Sequence, residues 1–317
     1  MTTPAAATGP GEWTEQLRRD GYVVVPAGAA PELCRRASAD LDGFKARNRR
    51  AVTANADPAG HLVRVVTLHE VVESLQPLFA ANAALAVCDE FFGAETALYT
   101  SLFFERGSEQ ELHRDSPAFT TRPEGRYLGM WVALDDTDSD NGPLVVVPGS
   151  HAIDPIDVTE IAVDLYGDPA AAPRNDQAGW DAYQRTVQAR CAEAGLHPRE
   201  VHVTTGDTIV WHPQLLHGGA PHRDGTRSRR SMVFHVTPVG TAVYGQDVFF
   251  DPARDVPATG RFHYVDCRGR RVSVTGTVDF GHAYEVRAAD LHRPGDGVLA
   301  RGRRAVGSRV RRARRRP

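Results

Sequence analysis

The residues of this chain that are most able to do chemistry are two histidines and one aspartate. His113 and Asp115 lie two positions apart in the segment ELHRD, and His217 follows far downstream, shortly before an arginine pair at Arg229 and Arg230. Two histidines and one carboxylate can bind iron on one face and leave neighbouring coordination positions open. Their types and spacing therefore raise the hypothesis of a mononuclear iron site.

Two other histidine-containing segments compete with this hypothesis. The chain has 13 histidines, so about one H-x-D pair is expected by chance at ordinary aspartate frequencies, and His222 with Asp224 forms a second pair. We interpret that pair as a solvated turn, because it lies in a stretch rich in Gly and Pro. His212 lies at the end of a predicted strand, and on these grounds alone it stays open as an alternative to His217.

A sheet of short strands is predicted to position these side chains. The strands are separated by Gly, Pro and Asp turns, which is typical of a sandwich or a jelly roll. The predicted strands are 22–25, 98–105, 127–134, 143–147, 208–211 and 231–237. His113 and Asp115 directly follow one of these segments, and their side chains share a face if the backbone is extended there.

Helices are predicted before the sheet and inside one long insertion. Apolar residues at helical spacing indicate helices at 13–20, 31–44, 69–79, 82–92, 158–166 and 176–194. Residues 46–62 are polar and are predicted as a loop. The insertion at 152–200 interrupts the strand pattern, and we interpret it as a lid or wall beside the site, because long connections in compact domains usually have a functional reason.

The chain is predicted to form a single domain over residues 1–300, with a helical support at about 12–95 and a jelly-roll core at about 96–240. The tail at 301–317 holds nine arginines and no acids, and the whole chain's charge of −3 less these nine leaves −12 on the rest. Such a run of like charge favours a disordered, solvated end. An adaptor whose tail binds nucleic acid or a membrane surface stays open as an alternative.

Composition argues against several other classes of protein. The first residues lack both a positively charged start and an apolar run, and no stretch approaches the roughly 20 apolar residues that span a bilayer. We therefore expect a soluble, cytoplasmic protein. Four widely spaced cysteines without a C-x-x-C pair indicate neither a zinc site nor a disulfide scaffold. Lys45 is the only lysine, so arginine is expected to bind any carboxylate ligand.

Several segments, in order along the chain, resemble the phytanoyl-CoA dioxygenase family. They are DGYVVVP at 20–26, HRD at 113–115, WVALDD at 131–136, NGPLVVVPGSH at 141–151, GDTIVWHP at 206–213, HGG at 217–219 and RRS at 229–231. The resemblance extends over residues 12 to about 240. The residues after 250 carry no signal of this family.

The resemblance implies an Fe(II)- and 2-oxoglutarate-dependent dioxygenase that consumes O2, on a double-stranded β-helix with a cupin-like jelly-roll fold. His113, Asp115 and His217 match the metal ligands of the family. The second ligand histidine of the family precedes a Gly-Gly or Gly-Ser pair, which favours His217 over His212. Halogenating relatives have Gly or Ala in place of the aspartate, so Asp115 disfavours halogenation.

The resemblance also implies how 2-oxoglutarate is bound. Arg229 matches the arginine that binds the distal carboxylate, one residue later than is usual after the histidine. Strand alternation makes Arg229 and Arg230 alternatives for one pocket, and we favour Arg229. Gln110 resembles a glutamine that holds 2-oxoglutarate in some relatives, and Trp131 resembles an aromatic residue that lines the same pocket.

The predicted reaction is the hydroxylation or oxidative cyclisation of a small polar molecule, in the tailoring of a secondary metabolite. Residues 46–62 and 152–200 are expected to contact this substrate, and their Arg, Asn, Asp and Tyr content indicates a polar one. Two positions depart from the family pattern: Leu144 replaces a threonine, and Gly219 replaces a serine. A jelly-roll protein that binds a small molecule without catalysis is therefore the alternative.

Overall fold

The computed structural model of this protein describes residues 9–256, 263–281 and 284–294. The tail predicted to be disordered, 301–317, lies outside these residues. Within the described ranges, no helix is both long and apolar enough to cross a membrane.

Seven α-helices form in the described part of the chain. They are α1 (Pro10–Asp20), α2 (Pro31–Arg47), α3 (Arg49–Asn55), α4 (Gln76–Ala80), α5 (Leu85–Phe92), α6 (Val158–Tyr166) and α7 (Gln177–Glu193). α1 and α2 both begin with a proline, whose fixed φ and missing N–H suit the first turn of a helix. α6 and α7 follow Asp157 and Asp176, whose side chains accept backbone N–H groups of the first turn.

The same ranges contain thirteen β-strands. They are β1 (Tyr22–Val25), β2 (Val65–Val66), β3 (Thr96–Phe104), β4 (Leu128–Ala133), β5 (Leu144–Val146), β6 (Arg199–Val201), β7 (Thr208–Trp211), β8 (His217–Gly219), β9 (Ser231–Pro238), β10 (His263–Cys267), β11 (Arg270–Val274), β12 (Thr277–Asp279) and β13 (Glu285–Arg287).

Ten of these strands form one large sheet in the order β1-β7-β4-β9-β3-β2-β12-β13, with β11 attached to β3 and β10 attached to β11. The other three, β6, β5 and β8, form a smaller sheet. All of the pairs that include β4, β5, β7 or β9 are antiparallel. The predicted mainly β jelly-roll fold with flanking helices is confirmed, although the large sheet does not close into a barrel.

The two faces of the large sheet have different partners, as the alternation of side chains along a strand requires. On β4, Met130 and Val132 belong to the apolar core that the N-terminal helices cover. Trp131 and Ala133 point to the opposite face and pack with residues of the smaller sheet. The candidate site lies on this second face, between the two sheets.

The insertion at 152–200 contains the two predicted helices, α6 and α7, and it ends in a strand that was not predicted, β6. β6 pairs with β5 in the smaller sheet. The helices share an apolar cluster with Phe249 and Phe250. The insertion therefore packs on the body of the protein along its length.

Two predictions about the N-terminal part were wrong. Residues 46–62 are not a loop throughout, because α2 extends to Arg47 and α3 follows; α3 buries Ala51 and Val52, two apolar positions too few to stand out among the polar ones. Residues 69–79 are not one helix. Short 3-10 turns precede α4, which begins at Gln76, because Pro77 has no N–H to continue a preceding helix and is placed in a first turn instead.

The large sheet extends beyond the predicted core of 96–240. β1 and β2 precede that range, and β10 to β13 follow it. β12 pairs with β2, and β11 makes a single parallel pairing with β3. The segment after 250, which carried no family signal in the sequence, thus contributes one edge of the large sheet.

Candidate metal centre

His113 and His217 lie opposite each other on two neighbouring backbone segments. They form an antiparallel bridge in which each backbone N–H donates to the carbonyl of the other residue, at 2.8 and 3.0 Å. Side chains of directly opposed residues are close in such a pair. The two imidazole rings accordingly lie 4.6 Å apart between centroids.

Asp115 reaches the same point from a turn rather than from a strand. His113 and Asp115 do not directly follow a strand as predicted, because β3 already ends at Phe104. The condition of an extended backbone through both residues is not met either, since only His113 is paired. The carbonyl of Asp115 accepts the N–H groups of Ala118 and Phe119. The chain therefore turns at Asp115, and this turn directs the carboxylate back to the histidines.

The three side chains form a compact, buried cluster. Asp115 Oδ1 lies 3.5 Å from His113 Nε2, and Asp115 Oδ2 lies 3.5 Å from His217 Nε2. One ligand atom of each residue lies within 4.8 Å of the other two, and in the described ranges this is the only group of histidine, cysteine or acidic residues that meets this criterion for holding a metal ion. Their exposed fractions are 7%, 7% and 5% in chain order.

Backbone carbonyls determine which nitrogen of each ring points into the cluster. His113 Nδ1 lies 2.8 Å from the carbonyl oxygen of Glu111, and His217 Nδ1 lies 3.0 Å from that of Leu215. A carbonyl can only accept, so each Nδ1 must carry the hydrogen. Each Nε2 then presents a lone pair to the cluster, as a metal-binding histidine requires.

The carboxylate of Asp115 is held by two aromatic donors. Tyr127 Oη donates to Asp115 Oδ2 at 2.6 Å, and Trp211 Nε1 donates to the same oxygen at 3.2 Å. Burial opposes ionisation of Asp115, but the facing His217 and His113 hold its pKa well below the usual range. Asp115 is therefore an anion at neutral pH, with one oxygen committed to these donors.

The protonation states of this donor set fit a divalent metal. Burial lowers the pKa of His217 to about 4, so its imidazole is neutral at physiological pH. Neutral imidazole and carboxylate are the forms in which these residues bind metal. Two imidazoles and one carboxylate on one side of a cavity are the ligands of non-haem Fe(II) oxygenases. The residues present thus fit iron.

Arg229 is a buried cation in the same cavity. Its exposed fraction is 2%, its Nε donates to the carbonyl of Gly142 at 2.8 Å, and its Nη1 donates to Ser231 Oγ at 3.0 Å. The guanidinium lies 5.2 Å from the ring centre of Trp131. Burial lowers the pKa of Arg229 to about 10, so it remains charged at neutral pH. No carboxylate of the described residues forms an ion pair with it.

Arg230 points away from the cavity. Its guanidinium pairs with Asp42 at 2.7 Å and with Glu105 at 3.0 Å. Glu105 is also bound by Lys45. The two neighbouring arginines therefore differ in their partners: Arg230 is neutralised by acids, whereas Arg229 is not.

The triad and Arg229 line one cavity of about 480 Å³, a volume within the range of small-molecule sites. Gln110 and Trp131 also line it. So do Leu144, one of the two positions that depart from the family pattern, and Gly218, which precedes the other. Gln110 is exposed at the opening, whereas Trp131 is buried. The structure thus brings all six residues predicted for the site to this cavity.

The hydroxyl of Ser108 lies beside Gly219. A Cβ atom placed on Gly219 would approach Ser108 Oγ to 2.9 Å and the backbone nitrogen of Glu109 to 3.0 Å. A serine at 219 would therefore require this segment to shift. Ser108 lines the cavity and brings a hydroxyl next to Gly219 from the loop after β3.

The competing histidines lie elsewhere. The His212 ring packs against the rings of Phe91 and His151 and does not line the cavity. His222 Nε2 lies within hydrogen-bond distance of the carbonyls of Asp224 and Arg227. The turn that contains His222 and Asp224 is therefore held by local hydrogen bonds.

The segments expected to contact a polar substrate contribute little to the cavity. None of residues 46–62 lines it, and Trp180 is the only lining residue from 152–200. Val63 and Arg64, directly after the first segment, do line it. The composition of these two segments is therefore no guide to the polarity of the substrate.

Helix α7 holds the segment that carries His113. Gln184 accepts the N–H of Arg114 at 2.8 Å and donates to its carbonyl at 2.9 Å, and Gln188 donates to the carbonyl of Leu112 at 2.7 Å. Trp180, one turn earlier, lies 6.0 Å from the His113 ring. These three α7 residues lie four apart, on one face of the helix. Gln184 and Gln188 bind backbone groups of Arg114 and Leu112, whereas His113 between them pairs with His217.

His235 is a cavity residue that the sequence analysis missed. It is buried, lines the cavity, stacks on Phe119 at 4.1 Å between ring centroids, and its Nδ1 has no hydrogen-bond partner in the described residues. Burial lowers its pKa to about 4. Strand alternation could have found it, because 229, 231, 233 and 235 share one face of an extended strand.

Comparison with known proteins places these features in a family. Residues 17–231 match the family described as Phytanoyl-CoA dioxygenase (PhyH). The Phytanoyl-CoA dioxygenase domain-containing protein 1 of Bos taurus is 24% identical over 156 residues, which are 48% of this chain and 47% of that protein. The peroxisomal phytanoyl-CoA dioxygenase of Mus musculus is 25% identical over 121 residues, 38% of this chain and 31% of that protein. The chain thus matches about half or less of the length of these relatives.

Solved structures share the fold over most of the chain. The non-heme alpha ketoglutarate dependent epimerase SnoN from nogalamycin biosynthesis is similar with a TM-score of 0.55 and 18% identity, over 83% of this chain and 97% of that one. The carbocyclase SnoK from the same biosynthesis has a TM-score of 0.53 and 16% identity, over 80% and 95% of the two chains. At these identities the similarity is one of fold.

Proposed function

The chain belongs to the phytanoyl-CoA dioxygenase family, and from this premise we propose that it is a non-haem Fe(II)- and 2-oxoglutarate-dependent oxygenase of a small molecule. One observation carries the proposal. The buried cluster of His113, Asp115 and His217 opens onto a cavity that also contains Arg229, a buried cation without an acidic partner among the described residues. The triad fits a metal ion, and Arg229 fits an anionic ligand in the same cavity.

In the proposal, His113, Asp115 and His217 hold the Fe(II). When bound, the iron couples the oxidative decarboxylation of 2-oxoglutarate to the oxidation of a substrate carbon. The protein's part is to present three ligand atoms in advance. The carbonyls of Glu111 and Leu215 orient the imidazoles, and these hydrogen bonds, with the backbone bridge between the histidines, limit the reorganisation that metal binding requires.

Arg229 is proposed to bind the distal carboxylate of 2-oxoglutarate. A buried charge without a partner is unfavourable, and a carboxylate ligand would relieve that cost while forming hydrogen bonds with the guanidinium fork. Trp131 lies against this guanidinium and excludes water from one side of it. Gln110, at the opening of the cavity, is proposed as a further polar contact for the same ligand.

The proposed outcome is hydroxylation or oxidative cyclisation. Asp115 would supply a carboxylate ligand where halogenating relatives have Gly or Ala, so the residues present do not favour halogenation. Natural-product tailoring is proposed as the setting, and the cytoplasm as the location. The fold is shared with SnoN and SnoK, whose descriptions place them in nogalamycin biosynthesis, and this supports small-molecule tailoring over lipid catabolism.

Turnover distinguishes this enzyme from a binding protein of the same fold. The protein is incubated with Fe(II), 2-oxoglutarate and O2 in the presence of candidate substrates, and succinate is quantified by proton NMR. We expect succinate formation that requires Asp115 and is lost in Asp115→Ala. Metal and 2-oxoglutarate binding without succinate from any candidate would favour the non-catalytic binding protein. Deletion of 301–317 should leave turnover unchanged, whereas an adaptor would lose its partner.

A further inference from the structure

The residues that line the cavity differ in their exposure, and this divides the cavity into two parts. The buried part contains the triad, Trp131 and Arg229. The outer part is lined by residues that keep some contact with solvent. Ser108 and Gln110 also belong to this outer part, and we use the name mouth for its other six residues, Val63, Arg64, Phe104, Ala118, Phe119 and Trp180.

The walls of the mouth are aromatic. Phe104, Phe119 and Trp180 come from three different parts of the chain, and each is half-buried. Phe119 is held in place by its stacking on His235, and Trp180 lies beside His113. Aromatic faces that are already positioned favour a flat, conjugated ring, which stacks on them and loses little conformational freedom on binding.

Arg64 is the only basic side chain of the mouth. It is exposed, and no described residue neutralises it, because its side chain forms neither an ion pair nor a hydrogen bond with any of them. Glu105, the acid that follows Phe104, is occupied by Lys45 and Arg230. Among the residues that line the cavity, Asp115 is the only acid, and it belongs to the metal centre.

The position of Arg64 makes it available to a ligand in the mouth. Val65 pairs with Phe103 across β2 and β3, so continuing the register places Arg64 opposite Phe104. β2 lies two strands from β9, which is about 10 Å at the usual spacing of strands. Arg229 directly precedes β9, so the backbones of the two arginines lie about two strand spacings apart, and a small carboxylate bound at Arg229 does not require Arg64.

We propose that the mouth binds the substrate as a planar aromatic or conjugated ring bearing an acidic group, with the ring between Phe104, Phe119 and Trp180 and the anion at Arg64. The inference rests on the proposed function, because it assigns the inner cation to 2-oxoglutarate. It replaces the expectation of a polar substrate with a more specific class. The positive potential of an unpaired arginine at a cavity opening also favours the approach of such an anion.

The test compares two probes that differ in charge and share a ring. The Fe(II) and 2-oxoglutarate form is titrated under argon with 2-naphthoate and with 2-naphthamide by calorimetry at low ionic strength. We expect naphthoate to bind about tenfold more tightly, which corresponds to about 1.4 kcal/mol. Added salt should reduce this ratio, because an exposed ion pair is screened.

Matched arginine variants identify the residue responsible. Arg64→Gln should bring the ratio of the two dissociation constants close to one, whereas Arg190→Gln, an exposed arginine on α7, should leave it unchanged. Trp180→Ala should weaken both probes by a similar factor. An unchanged ratio in Arg64→Gln, or no binding of either probe, would overturn the proposal.

The proposed function is read separately in the same samples. Before any probe is added, a visible charge-transfer band shows that Fe(II) and 2-oxoglutarate are bound together. The band without a charge preference at Arg64 would overturn the substrate class alone. A charge preference at Arg64 without the band would overturn the proposed cofactor set and leave the anion site standing.

Discussion

The two ends of the buried cavity are stabilised in opposite ways. At the metal end, nearly every polar group has a partner within the protein: the histidine Nδ1 atoms bind carbonyls, Asp115 accepts two aromatic donors, and the backbone of His113 pairs with that of His217. At the other end, Arg229 has two hydrogen bonds and no counter-charge in the described residues. The metal end is prepared in advance, whereas the arginine end is completed by its ligand.

This difference predicts that substitutions at the two ends affect different binding steps. Changes at the prepared end should disturb the orientation of ligands and reduce metal affinity. Changes at the arginine end should reduce affinity for 2-oxoglutarate and leave the metal and the fold largely unaffected.

Arg229→Gln should weaken 2-oxoglutarate binding about 100-fold, because a charge-assisted interaction of a buried cation is lost. Fe(II) affinity in the absence of 2-oxoglutarate should change less than about threefold, and the free energy of unfolding should change by less than about 1 kcal/mol, since an unpaired buried charge is removed. Calorimetric titration and urea denaturation measure these quantities. Arg230→Gln is the matched control and should leave 2-oxoglutarate binding intact. A loss of Fe(II) binding in Arg229→Gln would break the separation of the two ends.

Gln184→Ala should weaken Fe(II) binding about tenfold, because groups that orient metal ligands typically contribute 10- to 100-fold. The amide of Gln184 binds both backbone groups of Arg114, the residue between His113 and Asp115. The metal affinity is measured by anaerobic titration, with Gln177→Ala, at the exposed start of α7, as the control. Equal affinities in the two variants would show that α7 covers the site without positioning it.

The smallest predicted effect is a dependence of the free energy of unfolding on pH, to which both His235 and the metal-ligand candidate His217 contribute. Burial lowers the pKa of His235 and of His217 to about 4 from the ordinary value of 6.5. The unfolded chain therefore binds more protons below pH 6.5, and the free energy of unfolding of the metal-free protein should fall as the pH decreases from 6.5 towards 4. His235→Phe should reduce the number of protons taken up on unfolding, and with it this slope, by up to about one proton. Urea denaturation at several pH values tests it, and an unchanged slope would contradict the burial of His235.

Much of the fold could be predicted from the sequence because its strands have strong local signals. The strands at 22–25 and 208–211 and the helix at 158–166 were predicted at their observed bounds. The four strands after 250 were not predicted, since β10 has a mostly exposed pattern and the segment carries no family motif. The helix at 49–55 was hidden among polar residues. These elements depend on packing partners distant in sequence.

The candidate site divides in the same way. Residue type and spacing were sufficient to nominate His113, Asp115, His217 and Arg229, which the structure brings to one cavity. The contribution of Gln184 could not be predicted, because it binds backbone groups 70 residues away. Arg64 was missed for a related reason. Nothing in the sequence distinguishes it from other arginines, and only the pairing of β2 with β3 places it at the mouth.

The most direct test of the metal assignment is an anaerobic spectral titration of the metal-free protein with Fe(II) and 2-oxoglutarate, in parallel with His217→Ala and His212→Ala. We predict a visible charge-transfer band in the parent protein and in His212→Ala, and none in His217→Ala. The absence of a band in the parent at saturating Fe(II), or its loss in His212→Ala with retention in His217→Ala, would contradict the account.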